Sequence, residues 1–96
     1  MKDAAYGVVE VLGSSNAILC VDRMVKTSDV YFKTWNAKCG GHVTIFMAGD
    51  LSAVNAAVNA VAENPPCEVF YTAVISNPHE EMVRFVQEMA DKFPGK

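Results

Sequence analysis

Asp29-Val30-Tyr31-Phe32-Lys33-Thr34-Trp35-Asn36-Ala37-Lys38-Cys39-Gly40-Gly41-His42-Val43-Thr44-Ile45-Phe46-Met47 is the stretch that decides the fold. Residues 29 to 37 are rich in strand-forming aromatics and alternate, with Val30, Phe32 and Thr34 on one side and Tyr31, Lys33 and Trp35 on the other. His42 to Met47 reads as a second strand. A connection this short between two strands implies an antiparallel hairpin. The adjacent Gly40 and Gly41 suit it, because they admit positive φ and close backbone approach. Locally, Lys38-Cys39-Gly40-Gly41-His42 reads either as a hairpin turn with an incidental cysteine or as a loop whose side chains point toward a shared axis.

Each side of the hairpin carries a helix and a further strand. Before it, residues 4 to 12 (Ala-Ala-Tyr-Gly-Val-Val-Glu-Val-Leu) are β-branched and continuous rather than cleanly alternating, as expected of a strand covered on both faces or central in its sheet. Gly13-Ser14-Ser15 ends that strand, and Ser14 or Ser15 can cap a helix running to Ser28 with Ala17, Val21, Met24 and Val25 as its apolar stripe. After the hairpin, Asp50 is a good N-cap for a helix over Leu51 to Glu63. Its Val54, Ala57, Val58 and Val61 form a stripe, and Ala53, Ala56 and Ala60 form a small-residue face. Asn64-Pro65-Pro66 stops the helix and Glu68 to Ile75 reads as the fourth strand. Asn77, Pro78 and Glu80 form a helix start of the capping-box kind, and Met82, Val86, Met89 and Phe93 continue at helical spacing. The order βαββαβ followed by α predicts an α+β sandwich of the ferredoxin-like type. Its four-stranded antiparallel sheet carries two helices on one face and an extra C-terminal helix.

The 96 residues suit a single domain over 1–96, and no repeat, linker or low-complexity stretch interrupts them. A hydrophobic fraction of 51% against 20% charged residues points to extra burial by self-association. The net charge of −3 and the lack of any basic run argue against nucleic acid. No apolar run approaches the roughly 20 residues of a membrane helix, and the first residues lack the apolar core of a signal peptide, so a cytosolic location is expected. Cys20, Cys39 and Cys67 are odd in number, far apart and without a C-x-x-C pair. They suggest neither a disulfide framework nor a self-contained zinc site, and each can be a buried small hydrophobe. His42 and His79 have no catalytic partner in view and no phosphate-binding glycine fingerprint is present, so no enzyme activity is expected. Gly7 and Gly49 read as backbone-demanding positions, and Asp50 as a cap rather than a catalytic carboxylate.

Four stretches, Ala5-Tyr6-Gly7-Val8-Val9-Glu10, Asp22-Arg23-Met24-Val25-Lys26, Ala48-Gly49-Asp50-Leu51-Ser52-Ala53-Val54 and Val74-Ile75-Ser76-Asn77-Pro78-His79, resemble in order and spacing the signature stretches of bacterial microcompartment (BMC-domain) shell proteins. The resemblance runs from about residue 4 to residue 86. It is greatest to divergent single-domain shell proteins of propanediol-utilization and glycyl-radical-enzyme compartments. It implies a flat cyclic homohexamer that tiles with other shell proteins in the bacterial cytoplasm. In such a tile the loops of Lys38, Cys39, Gly40, Gly41 and His42 line a central pore, and Lys26, Asn77, Pro78 and His79 lie at the hexamer edge. The chain departs from the family in two places. Ser76-Asn77-Pro78-His79 stands where Pro-Arg-Pro-His is common, so the edge lacks an arginine whose planar fork asparagine cannot imitate. A cysteine and a histidine also replace the small or hydroxylated residues typical of solute pores.

On such an axis, cyclic symmetry turns one Cys39 per chain into a ring of six. Soft thiolates select iron–sulfur clusters, zinc or copper(I), and a cubane cluster takes about four cysteines, so an iron–sulfur cluster at Cys39 would break the symmetry. Lys38 favours the thiolate, and neutral His42 can hydrogen-bond or ligate nearby. Two further readings stay open, six thiols that only line the pore and oxidise under stress, and a cysteine tucked sideways as packing. The expected function is a structural shell tile whose pore cluster relays electrons or is delivered inward. The alternative is a ferredoxin-like oligomeric sensor of a small molecule or metal, which would be a trimer with a ligand cleft between subunits.

Overall fold

The computed structural model describes residues 4–37 and 39–92. In chain order it contains β1 (Ala5–Leu12), α1 (Ser14–Thr27), β2 (Tyr31–Ala37), a short 3-10 turn (Cys39–Gly41), β3 (His42–Gly49), α2 (Leu51–Glu63), β4 (Val69–Ser76) and α3 (Glu80–Lys92). The strands form one antiparallel sheet in the order β2-β3-β1-β4. This is the expected split βαβ arrangement with a helix added at its C-terminal end.

Alternation along β1 divides the interior into two layers. Ala5, Val9 and Val11 pack with Ala17, Cys20 and Met24 of α1 and Val54, Ala57, Val58 and Val61 of α2. Tyr6 and Val8 face the other way, onto Phe46 and Ala48 of β3 and Val86 and Met89 of α3. β1 is therefore covered on both sides, which is why its sequence is continuously apolar rather than alternating.

Alternation in β2 differs from the expected pattern. Phe32 pairs with Met47 but Thr34 pairs with Phe46, so the register shifts at Lys33. One extra residue reverses the facing of all that follows. Trp35 therefore joins Phe32 against the two-helix layer, their rings 5.6 Å apart edge to face. Thr34 is buried, paired with a residue of the α3 layer.

The helix starts also correct the expectation. Gly13 occupies the N-cap position of α1 at φ 87°, with no side-chain cap, and its N–H donates to Gly41 O at 2.8 Å. A left-handed φ at this place excludes Ser14 and Ser15 from the capping role, since it favours glycine. In the stripe of α1 Cys20 takes the place expected for Val25, which is 42% exposed. Asp50 precedes α2 as expected, accepting the Val54 N–H through its backbone carbonyl, though its side chain makes no cap bond. At α3 the cap is His79 rather than Asn77. The His79 carbonyl accepts from Val83 N at 3.0 Å, and its Nδ1 accepts from Glu81 N at 3.1 Å. Asn77 instead sits at φ 49° and donates its N–H to Ala4 O, prolonging the β4 ladder by one bond.

Thr44 carries the one buried side-chain oxygen without a hydrogen-bond partner among the described residues. An unpaired buried hydroxyl costs more than the isosteric methyl that could replace it. Thr44→Val is therefore expected to raise the unfolding free energy by about 1 kcal/mol, measured by urea denaturation.

Candidate functional site

The two ends of the sheet carry different sets of candidate residues. Leu12 pairs with His42 at one end, and Ala5 pairs with Gly49 and Ser76 at the other. The turn of Cys39, Gly40 and Gly41 is at the first end. Asn77, Pro78 and His79 follow Ser76 at the second. Lys26 lies in the last turn of α1, which leads into Asp29, and the Asp29 carbonyl lies where a Cβ on Gly49 would come within 3.2 Å. The turn and the residues expected at an edge are thus separated by the length of the sheet.

Lys38 and the side chain of Cys39 lie outside the described residues. Gly40 and Gly41 have φ of 87° and 86° and are exposed, so the turn needs both glycines. The turn is anchored to the start of α1 by Gly13 N to Gly41 O.

No catalytic partner for His42 is legible in the sequence, and the fold brings a carboxylate to it. His42 Nδ1 lies 2.8 Å from Glu10 Oε2, both side chains half-buried, and the imidazole packs on Phe70 with ring centroids 4.9 Å apart. Antiparallel pairing explains the contact: Glu10 is opposite Thr44, diagonal to His42 on the same face of the sheet. A carboxylate on Nδ1–H leaves Nε2 as the nitrogen with a lone pair. The turn is therefore followed at once by an imidazole of fixed orientation.

Lys26 is exposed and bonds Asp22 Oδ2 at 3.1 Å along its own helix. That pair contributes little to stability, so Lys26 can exchange it for another partner at small cost.

The other two cysteines meet each other. Cys20 Sγ and Cys67 Sγ are 3.7 Å apart, Cys20 fully buried and Cys67 half-buried. Burial above all, then the hydrogen bond and charge of Cys67, push the Cys20 thiol up to about 12 against the opposing charge of Arg23. Forty-seven positions separate the two cysteines, and no local spacing reveals such a pair. Among the described residues of one chain, no three His, Cys, Asp or Glu side chains gather as a metal site.

Comparison with known proteins agrees with this architecture. A family model described as the BMC domain matches residues 5–78. The chain is 34% identical over 88 residues to the bacterial microcompartment shell protein PduA of Citrobacter freundii, a match covering 90% of this chain and 95% of that protein. It is 35% identical over 87 residues to the probable carboxysome shell protein CsoS1E of Prochlorococcus marinus, covering 85% of this chain and 42% of that longer protein. A crystal structure of a microcompartment protein from Desulfitobacterium hafniense superposes with a TM-score of 0.75 at 24% identity, over 92% of this chain and 48% of that one, and shows the same fold.

Proposed function

This chain belongs to the BMC domain family, and from that membership we propose that it forms the hexameric tile of a microcompartment shell, with Cys39 holding an iron–sulfur cluster at a central pore. The relatives it matches are structural shell proteins of microcompartments and carboxysomes. The tile assembles with itself and with other shell proteins in the bacterial cytoplasm. No helix among the described residues is long and apolar enough to cross a membrane. The likeness to PduA favours a compartment of the propanediol type, and the pore cysteine extends the reading to glycyl-radical compartments.

The observation that carries the cluster assignment is the partition of the three thiols. Cys20 and Cys67 face each other inside the fold, and Cys39 belongs to the turn. The separation of that turn from Lys26 and from Asn77, Pro78 and His79 supports a tile with the pore at one end of each sheet and the edge at the other. One chain offers too few donors for a cluster, so the set is built between subunits, from four of six thiols or from three alternating thiols and an outside ligand. Such a cluster supplies one-electron transfer across the shell, or is itself passed inward. His42, oriented by Glu10, keeps the Nε2 lone pair as a further ligand beside it. The sensor reading finds no support among the relatives.

Native mass measurement is expected to give a six-chain particle, and a stable trimer would overturn the tile. Purified without oxygen, the protein is expected to be brown with visible absorption and Cys39→Ser colourless. Equal iron in both would end the cluster assignment. Cys20→Ser and Cys67→Ser should keep the colour, and its loss in Cys67→Ser would move the ligand to that residue.

A further inference from the structure

We propose that Cys20 and Cys67 are a peroxide-oxidisable dithiol, which closes to an intrachain disulfide joining α1 to the connection between α2 and β4. This inference is independent of the pore reading, because it uses neither Cys39 nor the assembly.

Three observations carry it. The sulfurs are already in contact at 3.7 Å, although they come from segments far apart in the chain. The two thiols also differ in access. Cys20 is fully buried, whereas Cys67 is half-buried and lines an open cleft of about 450 Å³ with Ala62, Pro65, Glu68 and Phe70, wide enough for a peroxide molecule. Finally, Cys67 stands between Glu63, where α2 ends, and Val69, where β4 begins, so neither a helix nor a strand ladder resists the small closure needed. Arg23 of α1 already bonds the Asn64 carbonyl in the same connection. The disulfide adds a covalent tie where a hydrogen bond now holds.

The chemistry follows from the asymmetry. The Cys67 thiolate attacks one oxygen of hydrogen peroxide; the O–O bond breaks, hydroxide leaves, and Cys67 becomes a sulfenic acid. Cys20 sulfur then attacks the Cys67 sulfur. The S–S bond forms, the S–O bond breaks, and the departing hydroxide takes the Cys20 proton as water. Overall, two thiols lose two electrons and one peroxide becomes two waters. Cys20 suits the second role. It is sheltered from oxidant and stays protonated largely because it is buried, and conversion of Cys67 to a neutral acid removes the part of that resistance owed to Cys67 charge. The product is uncharged. A metal would need both thiols ionised, one of them fully buried, so burial favours the disulfide over a metal.

Thiols counted in denaturant test the proposal. One equivalent of hydrogen peroxide should lower the count of cluster-free wild type from three to one per chain. Peptide mass spectrometry without reductant should join the Cys20 and Cys67 peptides within one chain, and reductant should restore all three thiols. In Cys39→Ser every thiol should disappear on oxidation. In Cys20→Ala, chosen to keep the interior apolar, Cys67 should persist as a sulfenic acid captured by dimedone. Retention of all three thiols in wild type, or a link confined to Cys39 between chains, would overturn it. Because loss of the Cys39 cluster leaves this readout unchanged, the two proposals fail separately.

Discussion

Gly7→Val is expected to lower the unfolding free energy by about 3 kcal/mol, because β1 and α2 meet at Gly7 with no room for a side chain. A Cβ there would lie 2.8 Å from Val58 Cγ2 and 3.1 Å from Val54 Cγ1. Neither neighbour has space to retreat, Val54 being fully buried and Val58 4% exposed. The strand cannot shift either, since Gly7 is paired with Met47 on one side and Val74 on the other. Gly7 is not among the glycines with positive φ, so the demand is steric and not conformational. That distinction sets the test. Val58→Ala opens space on the clashing side, so Gly7→Val combined with Val58→Ala should be more stable than the sum of the two single losses. A positive coupling of about 1 kcal/mol in a double-mutant cycle is expected. Strict additivity would show that backbone strain, and not contact with α2, makes the glycine necessary. Urea denaturation at fixed protein concentration measures it, since assembly links stability to concentration.

Ile45→Ala is expected to cost about 3 kcal/mol, within the range of large-to-small changes in a closed core. Ile45 is fully buried in the middle of β3, opposite Val9 on β1 and Trp35 on β2, in the layer covered by α1 and α2. Neighbours on both strands are fixed by ladder hydrogen bonds, so the space left by the lost carbons cannot collapse. Against a total of roughly 5 to 15 kcal/mol for a domain, the loss is large. Ile45→Val, which removes a single methylene, should cost about 1 kcal/mol. A loss under 0.5 kcal/mol for Ile45→Ala would mean that the two-helix layer is loosely packed around this position.

The order of strands and helices and the hairpin at the centre are legible in the sequence, while the covering of β1 on both faces was one of two readings and is settled by the packing of α3. The legible features are written in short-range pattern: alternation in residues 29 to 37, helical spacing in Leu51 to Glu63, and glycine and proline at the breaks. The candidate turn was legible for the same reason, since Gly40 and Gly41 announce a left-handed backbone. The resemblance added an expectation that no single chain can supply, six turns around one axis.

Tertiary structure decided the rest, wherever a position depends on a distant partner. The register shift at Lys33 moved Trp35 to the face of Phe32, because pairing with β3 and not the alternation of β2 sets the facing. Gly13 displaced the serines as cap of α1 because its N–H is held by Gly41 across the sheet end. His79 displaced Asn77 because Asn77 is still tied to the strand at Ala4. Glu10 and His42 are 32 positions apart, and Cys20 and Cys67 are 47 apart. Their contacts follow from strand register and from the seating of α1 against the connection after α2, and neither leaves a trace in local periodicity. The hairpin that decided the fold was therefore readable from residues 29 to 47 alone, while the groups that orient its histidine and separate its cysteine from the other two were set by the packing of the whole domain.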